Sequence, residues 1–170
     1  MGGSTYPAQP FVPGILIIAH APLASALCAC AGHVYCAAPQ GLEGLDVAAD
    51  ASPQAVLRDA RQAVARLARD DGEVLVLTDA IGATPCNTAR SLLSETASTP
   101  RVRLVGGVNL PMLLRCLCYR DEGLDRLVPR AVEGGQRAVA EIEASSPQPC
   151  CPPDPCAAAA PPCPCSDARS

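Results

Sequence analysis

The run Gly14-Ile-Leu-Ile-Ile-Ala19 has no polar side chain at any position and is rich in β-branched residues. An extended strand sends successive side chains to opposite faces, so a strand made of this run has no face to turn to water. Both of its sides must be covered. Similar short runs recur at Glu73–Thr78 (EVLVLT) and Arg101–Gly107, with a shorter strand at Gly41–Val47.

Helix signals fill the gaps between these runs. Ser52-Pro53 is an N-cap followed by Pro at the first helical position, where a missing N–H costs nothing. Val56, Leu57, Ala60, Val64 and Leu67 then recur at helical spacing while Arg58, Asp59, Arg61 and Arg69 face water, up to Asp71-Gly72. Thr84-Pro85 repeats the signature and opens a helix to about Glu95. Asn109-Leu-Pro111 opens another to about Tyr119. An Ala- and Leu-rich segment from Pro22 to about Tyr35 reads as the first helix, and Leu124 to Glu143 as the last, with Gly134-Gly135 as its weak point.

Strands alternating with helices imply right-handed crossovers and a mainly parallel sheet, an α/β fold of the doubly wound kind with helices on both faces. The expected strand order is 2-1-3-4 in a three-layer α/β/α sandwich. With one Phe, three Tyr and no Trp, the core is expected to be built from Ala, Val and Leu. The length of 170 residues suits one such domain, placed at 14–143. Residues 1–13 read as a flexible lead, and the Pro/Cys-rich segment 144–170 as a disordered tail.

Composition closes several functional classes. A net charge of −4 and a pI near 5.1 do not suit nucleic-acid binding, which rewards a basic face. All thirteen basic residues are Arg. Without Lys there is neither a Walker P-loop nor a Schiff-base amine. No stretch is long and apolar enough to span a membrane, and the N-terminus has no secretory pattern, so a cytoplasmic protein is expected. In that compartment the eleven Cys are read as free thiols. Cys28/Cys30 and Cys116/Cys118 fall on predicted helices with C-x-C spacing, not the spacing of common zinc sites, and are read as core filling. Cys163/Cys165 lie in the tail. No metal or cofactor is expected.

In a sheet of this kind, chemistry collects at the C-terminal ends of the strands where the winding reverses, here between the first and third strands. His20 follows the first and Asp79 the third. An imidazole with one nitrogen unprotonated and aimed outward is a good nucleophile near neutral pH. A carboxylate on its other nitrogen fixes the tautomer and stabilises the positive charge that develops on attack, the role expected of Asp79. Helix starts near Pro22 and Thr84 offer unpaired N–H groups to an arriving phosphoryl group, and the Thr84 hydroxyl adds a donor. Asn109 is read as shaping its loop or capping its helix. His33, inside the first helix, is read as structural or surface.

Three segments then carry a resemblance: Gly14-Ile-Leu-Ile-Ile-Ala-His20-Ala-Pro-Leu-Ala24, Leu77-Thr-Asp79-Ala-Ile-Gly-Ala-Thr84-Pro85-Cys-Asn87 and Val105-Gly-Gly-Val-Asn109-Leu-Pro-Met-Leu-Leu114. In order and spacing they resemble the mannose-family IIA domain of the bacterial phosphoenolpyruvate-dependent sugar phosphotransferase system, over roughly Gly14 to Ala140. The resemblance implies that His20 takes a phosphoryl group from the histidine of the carrier protein HPr and passes it to a IIB partner. It implies that Asp79 orients His20 and that Thr84, where family members often have Ser, contacts the phosphoryl group. It also implies a homodimer and a further strand near the end of the domain, where the residues themselves read as helix. The Cys/Pro tail has no counterpart in the family pattern. The chain reads as a IIA-like domain without a fused IIB domain, which is compatible both with relay in sugar uptake and with the alternative, a stand-alone regulatory module whose His20 phosphorylation state controls a partner protein. A response receiver is disfavoured by the missing acidic cluster and Lys, and a flavodoxin by the missing aromatics.

Overall fold

The computed structural model describes residues 12–68, 72–95 and 100–142. Its elements follow in the order β1 (Gly14–His20), α1 (Leu23–Val34), β2 (Leu42–Val47), α2 (Pro53–Ala68), β3 (Glu73–Thr78), α3 (Thr84–Glu95), β4 (Arg101–Gly106), α4 (Leu110–Tyr119), a 3-10 turn (Arg120–Glu122) and α5 (Leu124–Arg137). The four strands are parallel, in the order β2-β1-β3-β4. The doubly wound reading therefore holds. The lead up to Phe11 and the tail from Glu143, including Cys163 and Cys165, lie outside the described residues.

The polarity of β1 explains its place. Ile15 to Ala19 are wholly buried, and the two faces of the strand serve two separate cores. Ile15, Ile17 and Ala19, with Leu75 and Leu77, pack against Ala24, Leu27 and Ala31 of α1, Leu113 and Cys116 of α4, and Leu127 of α5. Leu16 and Ile18, with Val74 and Val76, pack against Val56, Ala60 and Val64 of α2 and Ala89 and Leu92 of α3. The small Ala residues let helices sit close on the sheet. At the outer edge, Arg101 and Arg103 of β4 are exposed and pair with Asp125 of α5. Charges on an edge strand of this kind discourage pairing with a foreign strand.

The seam between α2 and β3 depends on a close approach at Gly72. A Cβ there would lie 1.8 Å from the Ala68 carbonyl oxygen, which is backbone and cannot swing away. Gly72→Ala is expected to destabilise the fold by roughly 1–3 kcal/mol, measured by chemical denaturation.

Three helix ends differ from the sequence reading. The first helix begins at Leu23, and Pro22, joined to Ala21 by a cis peptide bond, is the residue before it. Thr84 is itself the first helical residue of α3. The Asn87 N–H bonds to the Ala83 carbonyl at 2.9 Å, so Ala83 holds the N-cap position. The last helix ends at Arg137, and residues 138–142 are not helical. Its apolar pattern runs on to Val139, but that side chain is 80% exposed and finds no core to fix it. Gly134 and Gly135 are not a weak point. Both are buried helical residues, and a Cβ would meet Arg115 Cβ at 3.0 Å or Met112 Cε at 2.6 Å, so they are where α5 crosses closest to α4. Among the described residues there is no fifth strand.

The cysteines divide by burial. Cys116 is fully buried, and desolvation pushes its thiol up to about 12. Cys28 is half-buried, and burial, with Asp46 nearby, raises its thiol as well. Cys30 and Cys36 are exposed and free, so the core-filling reading fails for Cys30. It fails for Cys118 too, which is half-buried and disulfide-bonded, so the reading of every cysteine as a free thiol is corrected there as well. The reason is helical geometry: positions two apart point in different directions, so only one of each C-x-C pair can face the core. Native protein treated with a thiol reagent near pH 7 is expected to label Cys30 and Cys36 and to spare Cys116 until it unfolds, as read by peptide mass.

Candidate functional site

The parallel register brings the ends of β1 and β3 level. Ile18 pairs with Thr78, so His20 and Asp79 both emerge at the same edge of the sheet. The Asp79 carboxylate is held on both oxygens. Oδ2 accepts the His20 backbone N–H at 3.0 Å and lies 2.7 Å from His20 Nδ1, while Oδ1 accepts the Ala80 N–H at 2.7 Å. The backbone behind it is fixed as well, because the Thr78 and Asp79 carbonyls accept the N–H groups of Val108 and Gly107 at 2.9 and 3.0 Å. The loop after β4, with Gly107 at φ +81°, thus buttresses the carboxylate and does not form part of it.

Burial shapes the electrostatics. The Asp79 side chain is 13% exposed and that of His20 is 51% exposed. Desolvation pushes the Asp79 carboxyl upward. The hydrogen bonds from the His20 backbone and ring and from Ala80, with attraction to the His20 ring, outweigh it and hold the carboxyl below its ordinary range. An ionised acceptor on Nδ1 requires that nitrogen to carry a hydrogen. In the neutral ring the lone pair is then on Nε2, on a side chain half open to solvent. Geometry and charge together hold His20 as an oriented, half-exposed imidazole.

The two helix starts expected near the site are not equivalent. At α1, the N–H of Ser25 is taken by Asp46 Oδ1 of β2 at 3.1 Å. A carboxylate already neutralises that helix end, so it offers little to an anion. At α3, Thr84 is exposed, and its hydroxyl and N–H have no partner among the described residues. Its hydroxyl is not spent as a cap, unlike Ser52, whose Oγ accepts from the Ala55 N–H at 3.2 Å. Asn109 is a cap, accepting the Met112 N–H at 2.9 Å and donating to the Gly135 carbonyl at 3.2 Å. His33 is exposed in the last turn of α1, away from any such setting. Asp46 was not singled out by sequence, because its role depends on the β2 to α1 juxtaposition and no local motif signals it.

A cleft of about 330 Å³ runs between α2 and α3, lined by Pro53, Gln54, Leu57, Thr84, Asn87, Thr88 and Ser91. Among the described residues no cluster of His, Cys, Asp or Glu could hold a metal ion, and no helix is long and apolar enough to cross a membrane.

Comparison with known proteins follows the same lines. The family described as EIIA-man, PTS system fructose IIA component, matches residues 14–128. Among solved structures, the phosphotransferase system component EIIA from Streptococcus agalactiae is 26% identical, covers 75% of this chain and 95% of its own, and superposes with a TM-score of 0.66. The PTS IIA protein associated with the fucose utilization operon of Streptococcus pneumoniae is 25% identical, with 78% and 95% coverage and a TM-score of 0.66. The mannose/sorbose specific IIA subunit from Enterococcus faecalis shares the fold at 24% identity, with 79% and 97% coverage and a TM-score of 0.67. Comparison with curated protein sequences finds no match.

Proposed function

Because this chain belongs to the mannose/fructose-type IIA family of the sugar phosphotransferase system, we propose that it is a phosphoryl relay in which His20 Nε2 accepts a phosphoryl group from phospho-HPr and passes it to a IIB partner. The observation that carries this is the 2.7 Å contact between His20 Nδ1 and Asp79 Oδ2 on a half-exposed imidazole. The Nε2 lone pair attacks phosphorus and the P–N bond to the donor histidine breaks. The Nδ1 hydrogen stays in its bond to Asp79, whose charge stabilises the cationic ring as it forms. Transfer to the IIB partner runs the same exchange outward. Phosphoryl transfer asks the protein mainly to position and neutralise charge, and the Thr84 hydroxyl and N–H at the start of α3 are available for the phosphoryl oxygens.

Family membership also supports a cytoplasmic location and a homodimer, and the family match covers 14–128 of the proposed 14–143 domain. The test is incubation with phosphoenolpyruvate, enzyme I and HPr, followed by intact mass and acid treatment. One acid-labile phosphoryl group on the wild type is the expected result. A protein that gains none does not have this function.

A further inference from the structure

We propose that Asn87 is a positioning residue for phosphoryl transfer at His20, an inference that rests on the function proposed above. The turn from β3 into α3 spans only Asp79 to Ala83, and it leaves the strand at the residue that orients His20. Gly82 in this turn stands at φ +88°, a conformation that side chains rarely adopt. Asn87, one turn into α3, holds the turn twice. Its backbone N–H bonds to the Ala83 carbonyl at 2.9 Å, and its side-chain Nδ2 donates to the Gly82 carbonyl at 2.9 Å. The Ala83 N–H closes back onto the Ala80 carbonyl at 3.2 Å.

Peptide planarity turns these bonds into an aiming device. Each carbonyl is rigidly opposed to the next N–H, so the Asn87 side-chain bond to the Gly82 carbonyl fixes the Ala83 N–H that closes the turn between Asp79 and Thr84, while the helical backbone bond, which any residue at 87 makes, fixes the Thr84 N–H. The first is used inside the turn. The second, with the Thr84 hydroxyl, is left at the helix start without a partner among the described residues. Asn87 itself is exposed, so its side-chain bond adds little to global stability. A carboxamide is needed here because the atom facing the Gly82 carbonyl must be a donor. The role is distinct from capping, since the residue sits inside the helix and reaches backward out of it.

The test is the steady-state phosphorylation of the full chain by phospho-HPr. Asn87→Ala is expected to lower kcat about tenfold, a loss in line with slight misplacement of a catalytic contact. KM for phospho-HPr should stay within about twofold, since the side-chain donor is turned back onto the Gly82 carbonyl of its own chain. Asn87→Gln, which keeps a donor, should recover part of the rate, and Asn87→Asp, which turns the donor into a carboxylate, should fall below Asn87→Ala. Circular dichroism melting should leave all three near the wild type. An unchanged kcat in Asn87→Ala, or a rise in KM alone, overturns the positioning role while the wild type still takes up phosphate. A wild type that takes up none overturns the proposed function and this inference with it.

Discussion

His20→Ala is expected to take up no acid-labile phosphate under conditions that fully phosphorylate the wild type, while His33→Ala takes up one phosphoryl group as the wild type does. The chain contains two histidines, so the pair of variants assigns the acceptor without mapping. The loss should be complete because no other described side chain at this edge of the sheet offers an unprotonated nitrogen to phosphorus. The fold should survive. His20 is half exposed, and after its removal Asp79 keeps backbone donors at His20 and Ala80, so the change in stability should stay below about 1 kcal/mol. Denaturant unfolding beside the phosphorylation assay checks both halves. A His20→Ala protein that is folded and still gains acid-labile phosphate would falsify the assignment of His20.

The parts of this molecule that were legible in the sequence are those dictated by local chemistry or by period. The uninterrupted apolar run before His20 demanded cover on both faces, and the Ser52 and Asn109 caps announced their helices through side chains that bond within three residues. The convergence of His20 and Asp79 was also legible, because a parallel sheet with this strand order brings the ends of its first and third strands together whatever the side chains are. What escaped the sequence depends on contacts between elements distant along the chain. Asp46 caps α1 from a neighbouring strand, 21 residues away. The glycines of α5 look like a break until α4 is laid across them. Thr84 looked like a cap because Thr-Pro usually is one. The short turn from Asp79 gave the N-cap place to Ala83, and Asn87 supplies the side-chain bond from the other direction. The shift leaves the Thr84 hydroxyl unspent as a cap, as its proposed contact with the phosphoryl group requires.

Asp79→Asn is expected to slow phosphorylation of His20 by roughly 10²–10³-fold with the fold retained, by analogy with the loss when a triad carboxylate is replaced by its amide. A carboxylate can only accept, which forces the hydrogen onto Nδ1 and the lone pair onto Nε2. An amide can donate to Nδ1 instead, and the ring then settles with its hydrogen on the nitrogen that should attack. Asp79→Ala also slows transfer, by leaving the ring unanchored. A second signature comes from linkage. Hydrogen bonds hold the Asp79 carboxyl below its ordinary range against the opposing effect of burial. Its ionised form is therefore favoured by folding, and the stability it contributes is fully present above the unfolded-state value of about 4. As pH falls below that value toward the lower folded-state one, the contribution disappears. The stability gap between wild type and Asp79→Asn, measured by urea unfolding, should be largest near neutral pH and should narrow below about pH 4. Unchanged transfer kinetics in Asp79→Asn would remove the carboxylate from the mechanism. A gap that stays constant down through pH 3 would mean that Asp79 is not held ionised by its contacts with His20 and Ala80.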